Sequence, residues 1–279
     1  MPGIGIGVMR IPVHEVQRHV AYNDVHSPHN LNFDPVLSFQ KKYEPTHIIL
    51  NGDFLNLEWA SHWNEAVFSD MGWDYIRDNL FKEFEAGRKL LSQIRTASPK
   101  AKIYLVPGNH EHWIYYAALY YPKLRIPLPA RTTTKGFKSD LAKQGDAALA
   151  YILSDKDVLN AKEYDLTVLP HNEHLDIGKI TYLHGHQFNT YKNTITKYPS
   201  KNIVFGHFHT EYRDTGHNGG DYGRAIQHTA VPCMTDLAPG YLKDKSTRWL
   251  QGFWMADVLA NGLFDGRVKK IFGGKVMIP

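Results

Sequence analysis

The sequence repeats one pattern five times, a short apolar run that ends directly in Gly, Asp, Asn or His. The runs are HVAYND (19–24), THIILNGD (46–53), KIYLVPGNH (102–110), ITYLHGH (180–186) and NIVFGHFH (202–209). Short apolar runs bounded by such residues are typical of buried strands. In open α/β sheets, ligands collect at the carboxyl ends of the strands. The pattern therefore predicts a sheet whose strand ends carry the chemistry.

Apolar residues at helical spacing lie between these runs. The longest such pattern covers 73–99 and stops at Ser98-Pro99. Shorter ones predict helices over 113–121, 139–153 and 190–198. The last third favours strands over 225–234, 249–259 and 268–272, with Asn-Gly and Asp-Gly turn signals at 261–262 and 265–266. Strand-helix alternation followed by an antiparallel return predicts one mixed α/β domain over residues 1–279, with more than one sheet layer.

Composition excludes some classes of protein and leaves others open. A chain of 279 residues is long enough for one large domain with a core of its own. The formal net charge of +4 permits a polyanionic partner without requiring one. The single cysteine, Cys233, excludes an intrachain disulfide and favours a reducing compartment. The sequence has no signal-peptide pattern and no apolar run of about 20 residues, so we expect a cytoplasmic protein without a membrane span.

Polar residues at the ends of the apolar runs form a candidate metal-binding set. Two carboxylates, one amide and four imidazoles are the candidate ligands: Asp24, His26, Asp53, Asn109, His184, His207 and His209. In an extended strand, residues i and i+2 face the same side, so Asp24 with His26, and His207 with His209, could each face one ion. The glycines at 52, 108, 185 and 206 are expected to turn the backbone beside these ligands. Seven such ligands are too many for one tetrahedral ion and suit two divalent ions that share a carboxylate.

The five motifs, taken in order, resemble the calcineurin-like metallophosphoesterase superfamily, and the short chain resembles its compact bacterial and phage members. They are Asp24-Val25-His26, Gly52-Asp53, Gly108-Asn109-His110-Glu111, His184-Gly185 and Gly206-His207-Phe208-His209. The resemblance implies a four-layer αββα sandwich of two mixed sheets. It also implies that one metal is held by Asp24, His26 and His209, and the other by Asn109, His184 and His207. Asp53 would bridge the metals, and His110 would be the catalytic residue near the leaving group.

The ligand types also limit the metal. Imidazole and carboxylate ligands suit borderline divalent cations, and a structural thiolate zinc site is disfavoured because the chain has one cysteine. We expect two manganese ions, with Fe, Zn, Ni, Co or Mg as alternatives. Flanking residues have expected roles too: Glu111 orients its loop, and Asn23 and Asn51 tie strand ends together. His29, His112 and His186 either touch substrate or form local hydrogen bonds.

The segment 113–170, between two of the motifs, is the expected substrate-specificity insertion. It opens with aromatic residues at 113, 115, 116, 120 and 121, and continues with cations at 123, 125, 131, 135, 138 and 143. Over the span 113–143, these cations are opposed only by Asp140. Aromatic side chains beside cations suit single-stranded DNA or RNA. The alternative is a helix with a tyrosine-rich core face followed by a solvated basic loop.

Neighbouring residues separate the nuclease and phosphatase branches of the superfamily. Asn56 stands where the recombination nucleases tend to have a histidine, and Phe54-Leu55-Asn56-Leu57 replaces the D-R-G stretch of protein phosphatases. The sequence thus predicts a dinuclear-metal-dependent phosphodiesterase that acts on nucleic acid or nucleotides and is nuclease-like, of the exonuclease-like type. The alternatives are a broad-specificity phosphomonoesterase and a non-catalytic binding module, and the intact ligand set disfavours the second. The oligomeric state stays open.

Overall fold

Two mixed β-sheets form the centre of the structure, a computed structural model that describes residues 7–61, 71–126, 148–217, 225–237 and 247–277. The strands are β1 Val8–Ile11, β2 Gln17–Tyr22, β3 His47–Asn51, β4 Lys102–Val106, β5 Leu166–Val168, β6 His174–Ile177, β7 Ile180–Leu183, β8 Asn202–Phe205, β9 Tyr212–His217, β10 Ala225–Ala230, β11 Gly252–Val258, β12 Phe264–Phe272 and β13 Lys275–Val276. One sheet has the order β13-β12-β11-β2-β3-β4-β5, and the other has the order β1-β6-β7-β8-β10-β9. The predicted α/β class with two mixed sheets is confirmed.

Parallel neighbours in each sheet end at the same level. Strands β2, β3, β4 and β5 run parallel, as do β7, β8 and β10. The register pairs Tyr22 with Leu50 in the first sheet and Leu183 with Phe205 in the second, so the chain leaves these strands along one edge. The side chain of Asn51 joins the two sheets there, since its Nδ2 donates to the carbonyl of Leu183 at 3.0 Å and to that of Val204 at 3.3 Å.

Among the described residues, the layer outside the seven-stranded sheet includes the helices α1 Asp34–Tyr43, α2 Trp73–Ala97 and α3 Asn109–Tyr120, and the helical residues 148–154 pack in the same layer. Helix α2 follows the predicted pattern, because its buried face repeats at helical spacing through Ile76, Leu80, Phe84 and Leu91. Its last turn ends at Ser98, directly before Pro99, whose ring disfavours helical backbone at the preceding residue. Helix α3 starts at Asn109 rather than at the predicted 113, so the Asn-His-Glu motif forms its first turn.

Apolar side chains fill the space between the sheets and cover both outer faces. The layer between the sheets contains Ile49, Tyr182 and Trp254, and the layer under the helices contains Leu50, Phe84 and Ile114. The outer face of the six-stranded sheet is covered by Phe188 and its neighbours. The predicted helix over 190–198 is wrong: only Thr194–Thr196 forms a turn of 3-10 helix. Left-handed Asn193 starts that turn, and the β-branched residues in it disfavour an α-helix.

Two other expectations from the sequence need adjustment. The Asp-Gly pair at 265–266 does not form a turn but lies within β12, where it pairs with Ala256 and Asp257 of β11. Of the predicted helix over 139–153, residues 148–154 are helical, whereas 139–147 lie outside the described residues. The single-domain interpretation and the role of 113–170 as an insertion stay predictions. In the described part of the chain, no helix combines the length and apolarity that crossing a membrane requires.

Candidate metal centre

Five of the seven candidate ligands have left-handed backbone conformations. Asp24, His26, Asp53, His207 and His209 have φ values between 48° and 69°. Such values are uncommon outside glycine and cost about 1–3 kcal/mol each, and they persist where the surrounding structure enforces them, often at functional sites. The expectation that extended backbone places Asp24 with His26, and His207 with His209, on one side is therefore wrong. Asp24 and His26 lie beyond the end of β2, and His207 and His209 lie beyond the end of β8. Both pairs are in loops that direct the side chains inwards.

The loops nevertheless bring the predicted side chains together in two groups. Ligand atoms of Asp24, His26 and His209 lie within 4.8 Å of one another, and so do those of Asp53, His184 and His207. Nε2 of His209 is 3.4 Å from Oδ1 of Asp24. His207 and His209 thus belong to different groups, which is the division that the resemblance implies and not the one that strand geometry suggests.

The Asp53 carboxylate lies where the two groups meet. Its Oδ1 accepts the backbone N–H of His110 at 2.9 Å. Its Oδ2 is 3.2 Å from Nε2 of His184 and 4.0 Å from Nε2 of His26. The same Nε2 of His184 is 3.0 Å from Oδ1 of Asn109. The structure therefore brings together all seven residues that the sequence singled out as candidate ligands, with Asp53 between the two groups.

Glycines make this packing feasible in two ways, by turning the backbone and by allowing loops to approach each other closely. Gly52 and Gly185 have φ values of +85° and +107°, and they turn the chain as expected. Gly108 and Gly206 act differently, because they let one loop touch a carboxylate of another. A Cβ on Gly206 would lie 2.3 Å from Oδ2 of Asp24, closer than any real Cβ contact.

Burial and opposite charges set the ionisation of this cluster. Burial lowers the pKa of His26 to about 3, so its imidazole is neutral. Burial also lowers the pKa of His184 and His209, but the carboxylates of Asp53 and Asp24 outweigh it and raise the values to about 9 and about 10. Burial raises the pKa of Asp53, and His184 outweighs that effect, so the Asp53 pKa is well below its usual value. The protonated imidazoles thus supply the positive charge that balances the carboxylates.

The chemistry of the donor set fits divalent cations. Nε2 of His26 is buried, faces the Asp53 carboxylate and makes no hydrogen bond. A neutral imidazole nitrogen in that position presents a lone pair, which a borderline divalent metal accepts well. Buried polar atoms without partners are rare in proteins and often mark an ion or a water site. The described Asp and His groups could therefore hold metal ions.

His110 lies at the edge of both groups and is held by main-chain and aromatic contacts. Its Nδ1 donates to the carbonyl of Asn56 at 2.5 Å, which leaves Nε2 3.9 Å from Oδ2 of Asp53. The ring of Trp113 packs on the imidazole with centroids 3.9 Å apart. His110 also lies within ligand distance of His26 and Asp53, so the geometry alone allows it to bind metal. Since the main chain at position 56 supplies the acceptor, the absence of a histidine side chain there does not leave His110 unsupported.

Glu111 fixes the loops that carry the ligands. Its Oε2 accepts the N–H groups of Asp53 at 2.9 Å and of Gly108 at 2.8 Å, and its Oε1 accepts that of Leu55 at 3.0 Å. The side chain is fully buried. The expectation that Glu111 orients its loop is confirmed, and the residue reaches the loop after β3 as well as its own.

Two parts of the surroundings carried no functional signal in the sequence. Trp249, in a segment that indicated only a strand, packs edge-on against His209 with ring centroids 4.2 Å apart. His171 stacks with both flanking histidines, 4.4 Å from His112 and 5.7 Å from His186. Trp249 is 40 residues from His209, and His171 lies between the third and fourth motifs without a pattern of its own. Only the fold therefore brings these two side chains to the site.

The aromatic start of 113–170 mostly serves the core. Tyr115 and Tyr121 are buried under the helical layer, whereas Tyr120 is 49% exposed and Trp113 faces His110. Lys123 and Arg125 are exposed, and together with Trp73 they border an open cavity. The cations at 131, 135, 138 and 143 lie outside the described residues. The tyrosine-rich core face therefore accounts for part of this segment, whereas Trp113, Lys123 and Arg125 are not buried in it.

The paired mixed sheets and the converging side chains define an α/β protein with a candidate metal centre at its strand ends. In motif order and in fold, the chain resembles the calcineurin-like metallophosphoesterases.

No family model and no curated protein matches the sequence. The chain is similar to solved structures of Vacuolar Protein Sorting 29 from Cryptosporidium parvum (12% identity over 94% of this chain and 95% of that chain, TM-score 0.46). It is also similar to a single mutant of Vps29 from Entamoeba histolytica (12%, 93% and 96%, TM-score 0.42). A third similar structure is a conserved protein described as a predicted phosphoesterase from Streptococcus pneumoniae (12%, 91% and 98%, TM-score 0.32). These similarities concern the course of the chain, whereas the site is defined by its own side chains.

Proposed function

We propose that the protein is a dinuclear-metal-dependent phosphoesterase that hydrolyses phosphodiester bonds, with nucleic acid or nucleotides as its substrates. The observation that carries the proposal is the convergence of seven ligand side chains from five loops, with His110 beside them. Phosphoryl transfer needs positioning and charge stabilisation more than covalent chemistry, and a buried set of this kind supplies both.

The two groups of side chains divide into two metal sites. Asp24, His26 and His209 would hold one cation, and Asn109, His184 and His207 the other. Asp53 would contact both, because its Oδ2 faces His184 and His26 from between the groups. Divalent cations bound there neutralise phosphoryl charge and make water a nucleophile near neutral pH. The ligand types favour manganese, with Fe, Zn, Ni, Co or Mg as alternatives.

His110 is the proposed proton donor to the leaving oxygen. Its Nδ1–H is committed to the Asn56 carbonyl, so only Nε2 can exchange a proton with a substrate. That atom is 3.9 Å from Oδ2 of Asp53, and the His110 side chain is 20% exposed. General acid catalysis by a positioned histidine contributes about 10²–10⁴ in rate.

Two features favour nucleic acid or nucleotides within this reaction class. Trp113 and Trp249 are half-buried and pack against His110 and His209, one in each part of the site. Aromatic faces of this kind stack on bases without regard to sequence. Lys123 and Arg125 add exposed positive charge on the segment that follows α3. A broad-specificity phosphomonoesterase is the second candidate, and a non-catalytic binding module is disfavoured by the complete ligand set.

One panel of substrates tests the proposal. Metal-free protein would be loaded separately with each of the six metals and assayed on bis-p-nitrophenyl phosphate, p-nitrophenyl phosphate, and end-labelled single- and double-stranded DNA and RNA. Turnover of the diester and of a nucleic acid, strongest with manganese, supports the proposal. Turnover of the monoester alone would establish the phosphomonoesterase instead. Absence of turnover with every metal, despite bound metal, would establish a binding module.

A further inference from the structure

The loop after β3 presents its N–H groups and its carbonyls to different partners. The N–H groups of Asp53 and Leu55 point to the buried Glu111 carboxylate. The N–H of Leu57 points to a second buried carboxyl group, that of Glu83, whose Oε2 accepts it at 2.7 Å. Alternate amides of this loop are therefore anchored on carboxyl groups from two different helices.

The carbonyls of the same loop face the candidate site. The carbonyl of Asp53 accepts the N–H of His26 at 2.8 Å, and that of Phe54 accepts the N–H of Ser27 at 2.9 Å. The carbonyl of Asn56 accepts Nδ1–H of His110. The conformation of this loop therefore decides where a candidate metal ligand and the candidate proton donor lie.

Glu83 and His110 are connected through a single peptide group. The Leu57 N–H and the Asn56 carbonyl belong to the same planar unit, and in a trans peptide they point in opposite directions. Glu83 holds one end of that unit and His110 the other. Rotation of the peptide plane would break both hydrogen bonds together, and each bond polarises the other.

The sequence of α2 is unusual at the face that meets this loop. Glu83 is 3% exposed on a helix whose other buried residues are mostly apolar, and burial raises its pKa to about 8. One turn later, Gly87 lets the helix approach the loop, since a Cβ there would lie 2.5 Å from Cδ2 of Leu55. A buried carboxyl group and a mid-helix glycine both disfavour a stable helix, so their place on one face indicates a purpose other than stability.

We propose that Glu83 is a positioning residue for His110. It fixes the Asn56–Leu57 peptide so that the Asn56 carbonyl keeps one ring proton of His110 on Nδ1. A second proton taken up by the ring is then carried on Nε2, and the imidazolium gives that proton to the leaving oxygen and returns to the neutral Nδ1–H tautomer. The proposal rests on the proposed function for its catalytic consequence, but the tautomer of His110 is independent of any activity. None of the five motifs includes Glu83, which lies about midway between the second and third of them.

Three variants of Glu83 separate positioning from general stability. Glu83→Gln keeps a carbonyl oxygen for the Leu57 N–H. Glu83→Met removes the acceptor at similar length, and Glu83→Asp withdraws it by one methylene, which keeps the test open if the Met protein does not fold. Glu85→Met is the matched control, because Glu85 lies on the exposed side of the same helix.

Long-range ¹H–¹⁵N spectra of the metal-free proteins report the tautomer of His110. We expect the Nδ1–H form in the wild type, Glu83→Gln and Glu85→Met, and a mixture of tautomers in Glu83→Met and Glu83→Asp. With manganese bound, the Met and Asp variants should lose about tenfold or more in kcat, since small displacements of catalytic groups cost up to about a hundredfold. Their KM and metal content should stay at the wild-type values. The Gln variant should stay within about threefold of the wild type.

Two results would overturn the proposal. One is an unchanged His110 tautomer in every folded Glu83 variant, and the other is loss of metal in parallel with loss of kcat, which would make Glu83 a general support of the centre. A wild-type protein without turnover would refute the proposed function but would leave the tautomer result to decide the role of Glu83.

Discussion

A Cβ added to Gly108 would lie 2.2 Å from Oδ1 of Asp53 and 2.6 Å from its backbone nitrogen. The glycine of one motif therefore packs directly on the carboxylate of another, and no larger residue fits between them. The same relationship holds between Gly206 and Asp24, so glycines keep the loops close enough for ligands from separate strands to converge.

We expect Gly108→Ala to weaken metal binding by about tenfold or more, because displaced supporting groups typically cost 10–100-fold in affinity. The added methyl group must push Asp53 away from His184 and His26. Titration of the metal-free protein with manganese, followed by calorimetry, measures the effect. Gly216→Ala is the control, since its Cβ would meet only ordinary contacts with Ile195 at 3.4 Å. Equal affinities in the two variants would contradict the close-packing explanation.

His110 and Asp53 should separate catalysis from metal binding. His110→Ala is expected to keep both metals and to lose about a hundredfold or more in kcat, the range that general acid catalysis supplies. Asp53→Asn is expected to lose metal and turnover together, because the amide replaces the carboxylate that lies between the two groups. Metal analysis and kinetics on the same preparations measure both. His14→Ala, at an exposed position, is the control. Loss of metal in His110→Ala would instead identify His110 as a ligand, which its distance to His26 and Asp53 allows.

Glu111→Gln should lower the free energy of unfolding by about 2 kcal/mol or more, since hydrogen bonds to charged groups contribute about 1.5–3 kcal/mol each. The carboxylate accepts three backbone N–H groups with its two oxygens, and an amide nitrogen in either place would face a donor. Urea unfolding of the metal-free protein provides the measurement, with exposed Glu85→Gln as the control. A variant within about 0.5 kcal/mol of the wild type, the usual range for surface changes, would show that the carboxylate is dispensable.

The sequence predicted which side chains meet but not how they meet. The repeated runs indicated buried strands, and the motif order indicated which residues follow them. Both could be predicted because each run and its motif lie next to each other in the sequence. The left-handed conformations of Asp24 and His207 have no such signal, since few non-glycine residues adopt them without support from the surrounding fold. Glu83 was missed for a related reason: its partner is a backbone N–H, which no side-chain pattern reveals.

The fold shows the same division between local and non-local information. Helix α2 was predicted within two residues of its end, because its apolar face and Ser98-Pro99 lie in the sequence itself. The segment 190–198 was misjudged, because helical spacing of Tyr191, Ile195 and Tyr198 also fits a loop that covers a sheet. The Asp-Gly pair at 265–266 failed as a turn signal since pairing with β11 outweighs local turn preference.

The exposed cations after α3 give a test of the substrate class. Reversing the charge of Lys123 and Arg125 together should raise KM for single-stranded DNA or RNA. It should also make this KM less dependent on salt, because fewer phosphate contacts flatten the slope of affinity against salt. The kcat for bis-p-nitrophenyl phosphate should not change. Lys82→Glu with Lys89→Glu, two exposed cations on α2, serves as the matched control. Identical KM values and salt slopes in both double variants would remove this segment from the substrate path.

Acid should destabilise the metal-free protein through histidines remote from the candidate centre. His19 is fully buried between Tyr182 and Gln17, which satisfy both ring nitrogens. Burial, with a smaller effect of His47, lowers the pKa of His19 to about 3. The folded state therefore keeps this ring neutral while the unfolded chain binds a proton below its ordinary value of 6.5. The stability is fully present above pH 6.5 and is lost as the pH falls from there towards 3.

Between pH 6.5 and 5, this one group should cost about 2 kcal/mol, at about 1.4 kcal/mol for each pH unit. Urea unfolding with a chelator present, at pH 7.5 and at pH 5, measures the loss. Other buried histidines contribute to the same slope, so the decisive comparison is with His19→Gln. That variant should be less stable than the wild type at pH 7.5, and the difference between the two should shrink by about 2 kcal/mol at pH 5. A constant difference across this range would mean that His19 does not titrate with unfolding.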